Sequence, residues 1–427
     1  MTPAWLELAT LYQDHIQLLQ QRYQQALARE SLTTLAIHAG QLKRHFFDDR
    51  VYPFKANPYF CQWLPLPQQP QSWLVLREQQ APLLVIHATP TEKLLLQPLL
   101  RQLQGLGWLI DYINTPEAIE RFLPYHKQQA AYLGEHIDVA KALGFEHINP
   151  ESLINFLNYR RVIKSDYELA CIGNAARRAL AGQELAAQAF TGGASEFTCW
   201  LAYLRGSGLR ESELPYAVQL QQRQSAGQRL MLIDGGADFA GYAAAITRTY
   251  CTRDDDAADL MVALEQVTLA LVGHLTPGTA YADIESLAQQ QLANLLCAFG
   301  LIKLAPEDIV EQRLTQYFMP YESACLVGLQ ARDVGAYLAD ERGTPIPPPA
   351  HLPQLKTTLT VAPRQVFRIG MGVYFIDSLL QRLAESRHRR QIDWQRVEQF
   401  RLLGTIRVED NVVVRANHSD NLSRVAG

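Results

Sequence analysis

The chain has 427 residues, of which 48% are hydrophobic and 19% charged, enough for two or three domains and a large core. A net charge of −4 argues against nucleic acid or an anionic membrane as the main partner. Six scattered cysteines without a CxxC pair suit free thiols in a reducing compartment.

The N-terminus, MTPAWLELATLYQDHIQLLQQRY, lacks a basic start, an apolar core and a cleavage site, so a signal peptide is not expected. No apolar run is read as reaching the roughly 20 residues that a membrane span needs. A cytoplasmic protein follows from these readings. From Leu6 to Leu27 apolar residues recur at helical spacing among glutamines, which predicts an amphipathic helix. Short apolar runs at Leu32–Ala39, Ser72–Leu76 and Leu83–His87 read as strands, with a helix over Thr91–Leu106 between later ones. Strands alternating with helices predict an α/β domain over residues 1–158.

A long alanine-rich helix is expected from Tyr159 to Phe190, broken at Gly192–Gly193, with Ser195 as the N-cap of the next helix. Strands are expected at Leu230–Ile233, Ala244–Cys251, Leu359–Tyr374 and Gly404–Arg415, and helices at Asp256–Leu275 and Tyr281–Phe299. Residues 159–427 therefore read as an α+β domain. The segment Pro345–Pro353 has the composition of an extended surface loop.

Five ordered motifs carry a resemblance. They are YRRVIKSDYELAC, LIDGGADFAGYAAAITRTY, FMPYESACLVGLQARDVGAY, LTVAPRQVFRIGMGVYFIDSLL and GTIRVEDNVVV. This order resembles the pita-bread metallopeptidases of the creatinase family. Within them it is most similar to the bacterial Xaa-Pro dipeptidases, or prolidases, whose N-terminal domain FFDDRVYPFKANPYFCQWLPL also resembles. The resemblance implies a pita-bread fold for 159–427, and a homodimer in which the Phe46–Leu66 loop reaches toward the partner's pocket.

The family's chemistry uses two divalent metals that activate a shared water, held by two Asp, one His and two Glu. By resemblance the first Asp is Asp234, and the second position, eleven residues on, is Ala245. The pattern P-H-G-x-G-H is replaced by Pro320-Tyr321-Glu322-Ser323-Ala324-Cys325, so Tyr321 and Cys325 stand at histidine positions. A further family histidine corresponds to Arg332, and the Glu of the T-x-E-P-G-x-Y motif is Gly370. The last Glu survives as Glu409. A histidine-bearing segment before the LID strand corresponds to the short stretch Gln219–Arg229, which has no histidine. Leu359 stands where a family arginine is expected.

These losses predict a catalytically degenerate prolidase-like protein with no metal and no dipeptidase activity. Arg368 shares a strand face with Gly370 and Arg407 with Glu409. Two carboxylates brought together without metal need compensating charge, so Arg368 is expected to occupy the metal position as a fixed cation. Arg368, Arg407, Arg332 and Tyr321 are the candidate contacts for a small anionic ligand or a peptide carboxylate, and an active prolidase is a candidate partner. Two enzymatic readings stay open: an Xaa-Pro dipeptidase-type hydrolase with a rebuilt site taking Mn or Zn, and a metal-free hydrolase on the creatinase fold. For the rebuilt site, Asp234, Cys325 and Glu409 are the candidate ligands of a single zinc.

Overall fold

In a computed structural model, which describes residues 7–225, 227–253 and 255–424, the chain divides into two compact units. The first comprises the chain to Arg161 together with Ser165–Cys171 and Asp340–Thr344, and the second holds the remainder. The segment MTPAWL lies outside the described residues.

The first unit opens with α1 (Ala9–Arg29), which buries Tyr12, Ile16, Leu19, Tyr23 and Leu27 at the spacing its sequence carries. There follow β1 (Thr34–His38), α2 (Pro58–Trp63), β2 (Trp73–Arg77), β3 (Leu83–His87), α3 (Pro90–Gly105), β4 (Leu109–Ile113), β5 (Ala130–Leu133), α4 (Ile137–Ala142), β6 (His147–Ile148) and α5 (Glu151–Arg161). The six strands form one mixed sheet in the order β4-β3-β2-β1-β5-β6. The stretch Phe46–Leu66 is not a loop throughout. Its first part exposes Phe46 and Phe47, whereas α2 buries Phe60 and Trp63.

The single helix expected over Tyr159–Phe190 is two. Helix α5 ends at Arg161, and α6 (Asp166–Thr191) starts afresh. The cause is a capping box written as S-D-Y-E: Ser165 Oγ accepts from the Glu168 N–H at 3.2 Å, and Glu168 Oε2 accepts from the Ser165 N–H at 2.8 Å. Helix α7 (Glu196–Ser207) follows, capped by Ser195, whose side chain accepts from the Thr198 N–H.

The second unit is built on β7 (Gln219–Ser225), β8 (Gln228–Phe239), β9 (Tyr242–Cys251), α8 (Asp256–His274), α9 (Tyr281–Ala298), α10 (Pro306–Glu311), β10 (Ala324–Leu326), β11 (Val366–Val373), α11 (Asp377–Glu385), α12 (Trp394–Arg401), β12 (Ile406–Val414) and β13 (Ser419–Asn421). The strands form a seven-stranded antiparallel sheet, β10-β11-β12-β9-β8-β7, with β13 beside β12. Strand β11 starts at Val366 rather than Leu359, because Pro363 and the positive φ of Arg364 interrupt extension there.

Strand parity sorts this sheet. Phe367, Ile369, Met371 and Val373 of β11 pack with Ile406, Val412 and Val414 of β12 into the same core as Leu260, Leu264 and Leu271 of α8 and Leu292 and Leu296 of α9. Met231 and Ile233 of β8 pack against Cys199 and Tyr203, and Ile246 of β9 against Ala179. The alternate residues face the other way, and they include every candidate ligand position carried by β8, β9, β11 and β12. Helix α8 is long and apolar enough to cross a membrane by length and composition alone, so the reading of no such run was too strict. It buries Leu260, Leu264 and Leu271 in this core.

Candidate active site

The five vestigial positions fall on two adjacent rows across the strands. Asp234 pairs with Thr247, Thr247 with Glu409, and Glu409 with Gly370. The next row holds Gly236 and Ala245, then Asn411, Arg368 and Cys325, the fifth position. The turn between β8 and β9 is made by Ala240 and Gly241, both at positive φ, and Asp238 Oδ1 accepts the Gly241 N–H there. Asp238 thus serves the turn.

Asp234 does not serve turn amides. Its Oδ1 accepts from the Tyr216 hydroxyl at 2.8 Å, and its Oδ2 faces Arg407 Nη1 at 3.1 Å. Arg407 Nη2 donates to Glu409 Oε2 at 2.9 Å, and the Thr247 hydroxyl donates to the same oxygen. One guanidinium therefore bridges the two surviving carboxylates. Arg368, expected at the metal position, is 13% exposed and lies 3.8 Å from Glu409 Oε2, but among the described residues it is Arg407 that pairs with both carboxylates. The difference follows from register: Arg407 is two residues from Glu409 on the same strand face, while Arg368 sits in the row beyond Gly370.

Burial by itself would raise the Glu409 carboxyl. The nearby charges of Arg368 and then Arg407, with hydrogen bonds from Thr247 and Arg407, instead bring it down to about 2. Glu409 is accordingly a carboxylate across the physiological range. The Tyr216 hydroxyl is held well above its ordinary value, first by burial and then by the Asp234 charge, so it stays a donor. Burial also pushes the Cys325 thiol up, against the pull of Arg368.

The remaining candidates sit elsewhere. Tyr321 is 52% exposed and meets Tyr374 edge-on. Tyr374 in turn lies under the Arg407 guanidinium, 5.6 Å from carbon to ring centre. Arg332 is 55% exposed and pairs with Glu322 at 3.7 Å, away from Asp234 and Glu409, whose cations among the described residues are Arg407 and Arg368. Of the histidines, His351 contacts Ser286, His388 contacts Gln391 and His418 pairs with Asp420, while His274 ends α8. Sequence reasoning missed Tyr216, Thr247 and Asn411. The signal for the last two was parity, since each lies two residues from a position already singled out.

These residues do not fit a metal pair. Ala245 and Gly370 bring no donor atom, and Asn411 fills the space at Ala245 by bonding that residue's N–H and C=O, each at 2.9 Å. A Cβ at Gly370 would collide with Val408 O and stand 2.5 Å from Glu409 Cα, so β12 has closed over that position. Among the described residues no group of three or more His, Cys, Asp or Glu converges on a point, which includes Asp234, Cys325 and Glu409.

A two-domain chain, with an antiparallel sheet backed by helices and a polar cluster on its other face, defines a pita-bread protein. Residues 10–159 match the family described as Xaa-Pro dipeptidase, N-terminal domain, and residues 161–416 match Metallopeptidase family M24. The chain is 44% identical over 439 aligned residues to Xaa-Pro dipeptidase 1 of Idiomarina loihiensis, covering 99% of this chain and 96% of that one. It is 40% identical to the Xaa-Pro dipeptidase of Pseudoalteromonas atlantica, with 99% of each covered. The solved structure of Pseudomonas aeruginosa aminopeptidase PepP superposes with a TM-score of 0.72 at 16% identity, over 94% of this chain and 93% of that one, which is a likeness of fold. The chain belongs to the bacterial prolidases of the pita-bread metallopeptidase family.

The expectation of a degenerate, inactive prolidase-like protein is corrected by these matches. Relatives named Xaa-Pro dipeptidase match it from end to end at 40–44% identity, and that similarity supports a functional prolidase. Five ligand positions are a small part of a likeness that covers 99% of the chain.

Proposed function

We propose that this protein hydrolyses Xaa-Pro dipeptides. The observation that carries the reading is identity of 44% over 99% of the chain to a protein named Xaa-Pro dipeptidase 1. The sheet face supports it in kind. Two carboxylates and two guanidiniums alternate there, a pattern that complements a dipeptide zwitterion. Arg407 holds Asp234 and Glu409 in place, while Tyr216 and Thr247 donate to them. No catalytic step is assigned to metal, because these residues do not fit a pair of ions. A homodimer and a cytoplasmic location belong to the same proposal, the latter supported by six free cysteines.

The test is proline release from Ala-Pro and Leu-Pro by the full chain, followed chromatographically. Release well above the enzyme-free rate is expected, and none from any Xaa-Pro dipeptide at high protein concentration would overturn the reading. Running the assay with added Mn²⁺ and with a chelator separates a site rebuilt from other residues from hydrolysis without metal.

A further inference from the structure

The two arginines of the cluster are used differently. Arg407 commits Nη1 to Asp234 and Nη2 to Glu409, and its Nε is sealed from solvent without a partner. The Arg368 side chain makes no hydrogen bond among the described residues. Its 3.8 Å approach to Glu409 is an ion pair beyond hydrogen-bond reach. A guanidinium presents five N–H donors in a planar fork and keeps its charge. Here the side chain is only 13% exposed, so little water reaches those donors, yet none of its unpartnered nitrogens is sealed off.

The neighbours leave the fork open. Two residues along β11 is Gly370, with no side chain to cover it. Cys325, directly opposite in β10, is a neutral thiol, and the Asn411 amide opposite in β12 is committed to Ala245. Glu409 Oε2 already accepts from Thr247 and Arg407. Leu359, where the resemblance places an arginine, is a buried apolar residue. A buried cation with unused coplanar donors and a glycine beside it suits a planar oxyanion.

We propose that Arg368 is the seat for the free C-terminal carboxylate of the dipeptide, bound side-on through two N–H donors. This rests on dipeptides being the substrates. The test is calorimetric titration of the full chain with Ala-Pro and with Ala-Pro amide. Loss of a charge-assisted pair weakens binding roughly tenfold or more, so the amide is expected to bind that much more weakly than the acid. Arg368→Gln should reduce Ala-Pro to the level of the amide, and Arg368→Lys, which keeps the charge without the fork, should fall between. Equal affinity for acid and amide in the unmodified protein overturns the seat, as does an Arg368→Gln variant that still discriminates. Acid-selective binding without proline release would leave the seat standing and refute the hydrolysis. Proline release without discrimination would do the reverse.

Discussion

At the scale of single residues, Arg407 is the cation that joins both surviving carboxylates of the sheet face. It stands between Asp234 and Glu409, with its guanidinium over the Tyr374 ring. Removing it leaves two carboxylates poorly compensated in a mostly buried place. Arg407→Ala should therefore destabilise the second unit by about 3–5 kcal/mol, as measured by urea denaturation. An effect below about 1 kcal/mol would mean that solvent already screens the pair. Glu409 gives a pH prediction of definite sign. Its folded-state value lies below 4.5, so its stabilisation is present above that value and is lost as pH falls toward about 2. The urea midpoints of the unmodified protein and Glu409→Gln should differ at neutral pH and converge between about pH 4.5 and 2. A constant gap would show that the Glu409 charge contributes nothing.

At the scale of elements, the closeness of β11 to β12 explains why one substitution does not rebuild the family's ligand set. Gly370→Ala introduces a Cβ against Val408 O and Glu409 Cα, both backbone atoms of β12. Overpacking of that kind costs about 1–3 kcal/mol, and a lowered thermal midpoint would register it. Gly370→Glu should show the same loss without gaining Mn²⁺ affinity. Asn411 joins β12 to β9 through two hydrogen bonds to Ala245 in a stretch where register pairing is confined to Glu409 and Thr247. Asn411→Ala should cost about 1–3 kcal/mol by leaving buried backbone groups unpaired. Faster amide exchange at Ala245 would locate the loss, and unchanged exchange would sink the explanation.

At the scale of the whole molecule, much was legible because it depends on local periodicity and order. The helical spacing of Tyr12, Ile16, Leu19 and Tyr23 announced α1, and the unbroken apolar run at Leu83–His87 announced β3. The order of five motifs gave the pita-bread architecture, and Ser195 as a cap is visible in the sequence itself. The split between α5 and α6 was equally legible in S-D-Y-E, but the alanine-rich pattern on both sides outweighed it. Strand parity placed Arg368 with Gly370 and Arg407 with Glu409 correctly. Parity says which face a side chain takes, not how far across the sheet it reaches.

That division is general in this chain. Spacing along the chain determined most elements and the two-part organisation, and the resemblance of five ordered motifs gave the family and the residues at each ligand position. Tertiary structure decided that Arg407 rather than Arg368 bridges Asp234 and Glu409, that Tyr216 and Thr247 complete their bonding, and that Asn411 fills the place beside Ala245. Each of those contacts, Arg407 to Glu409 excepted, joins residues far apart in sequence through the register of β8, β9, β11 and β12 or the chain leading into them. Register is set by the packing of whole strands against helices, so no local stretch contains it.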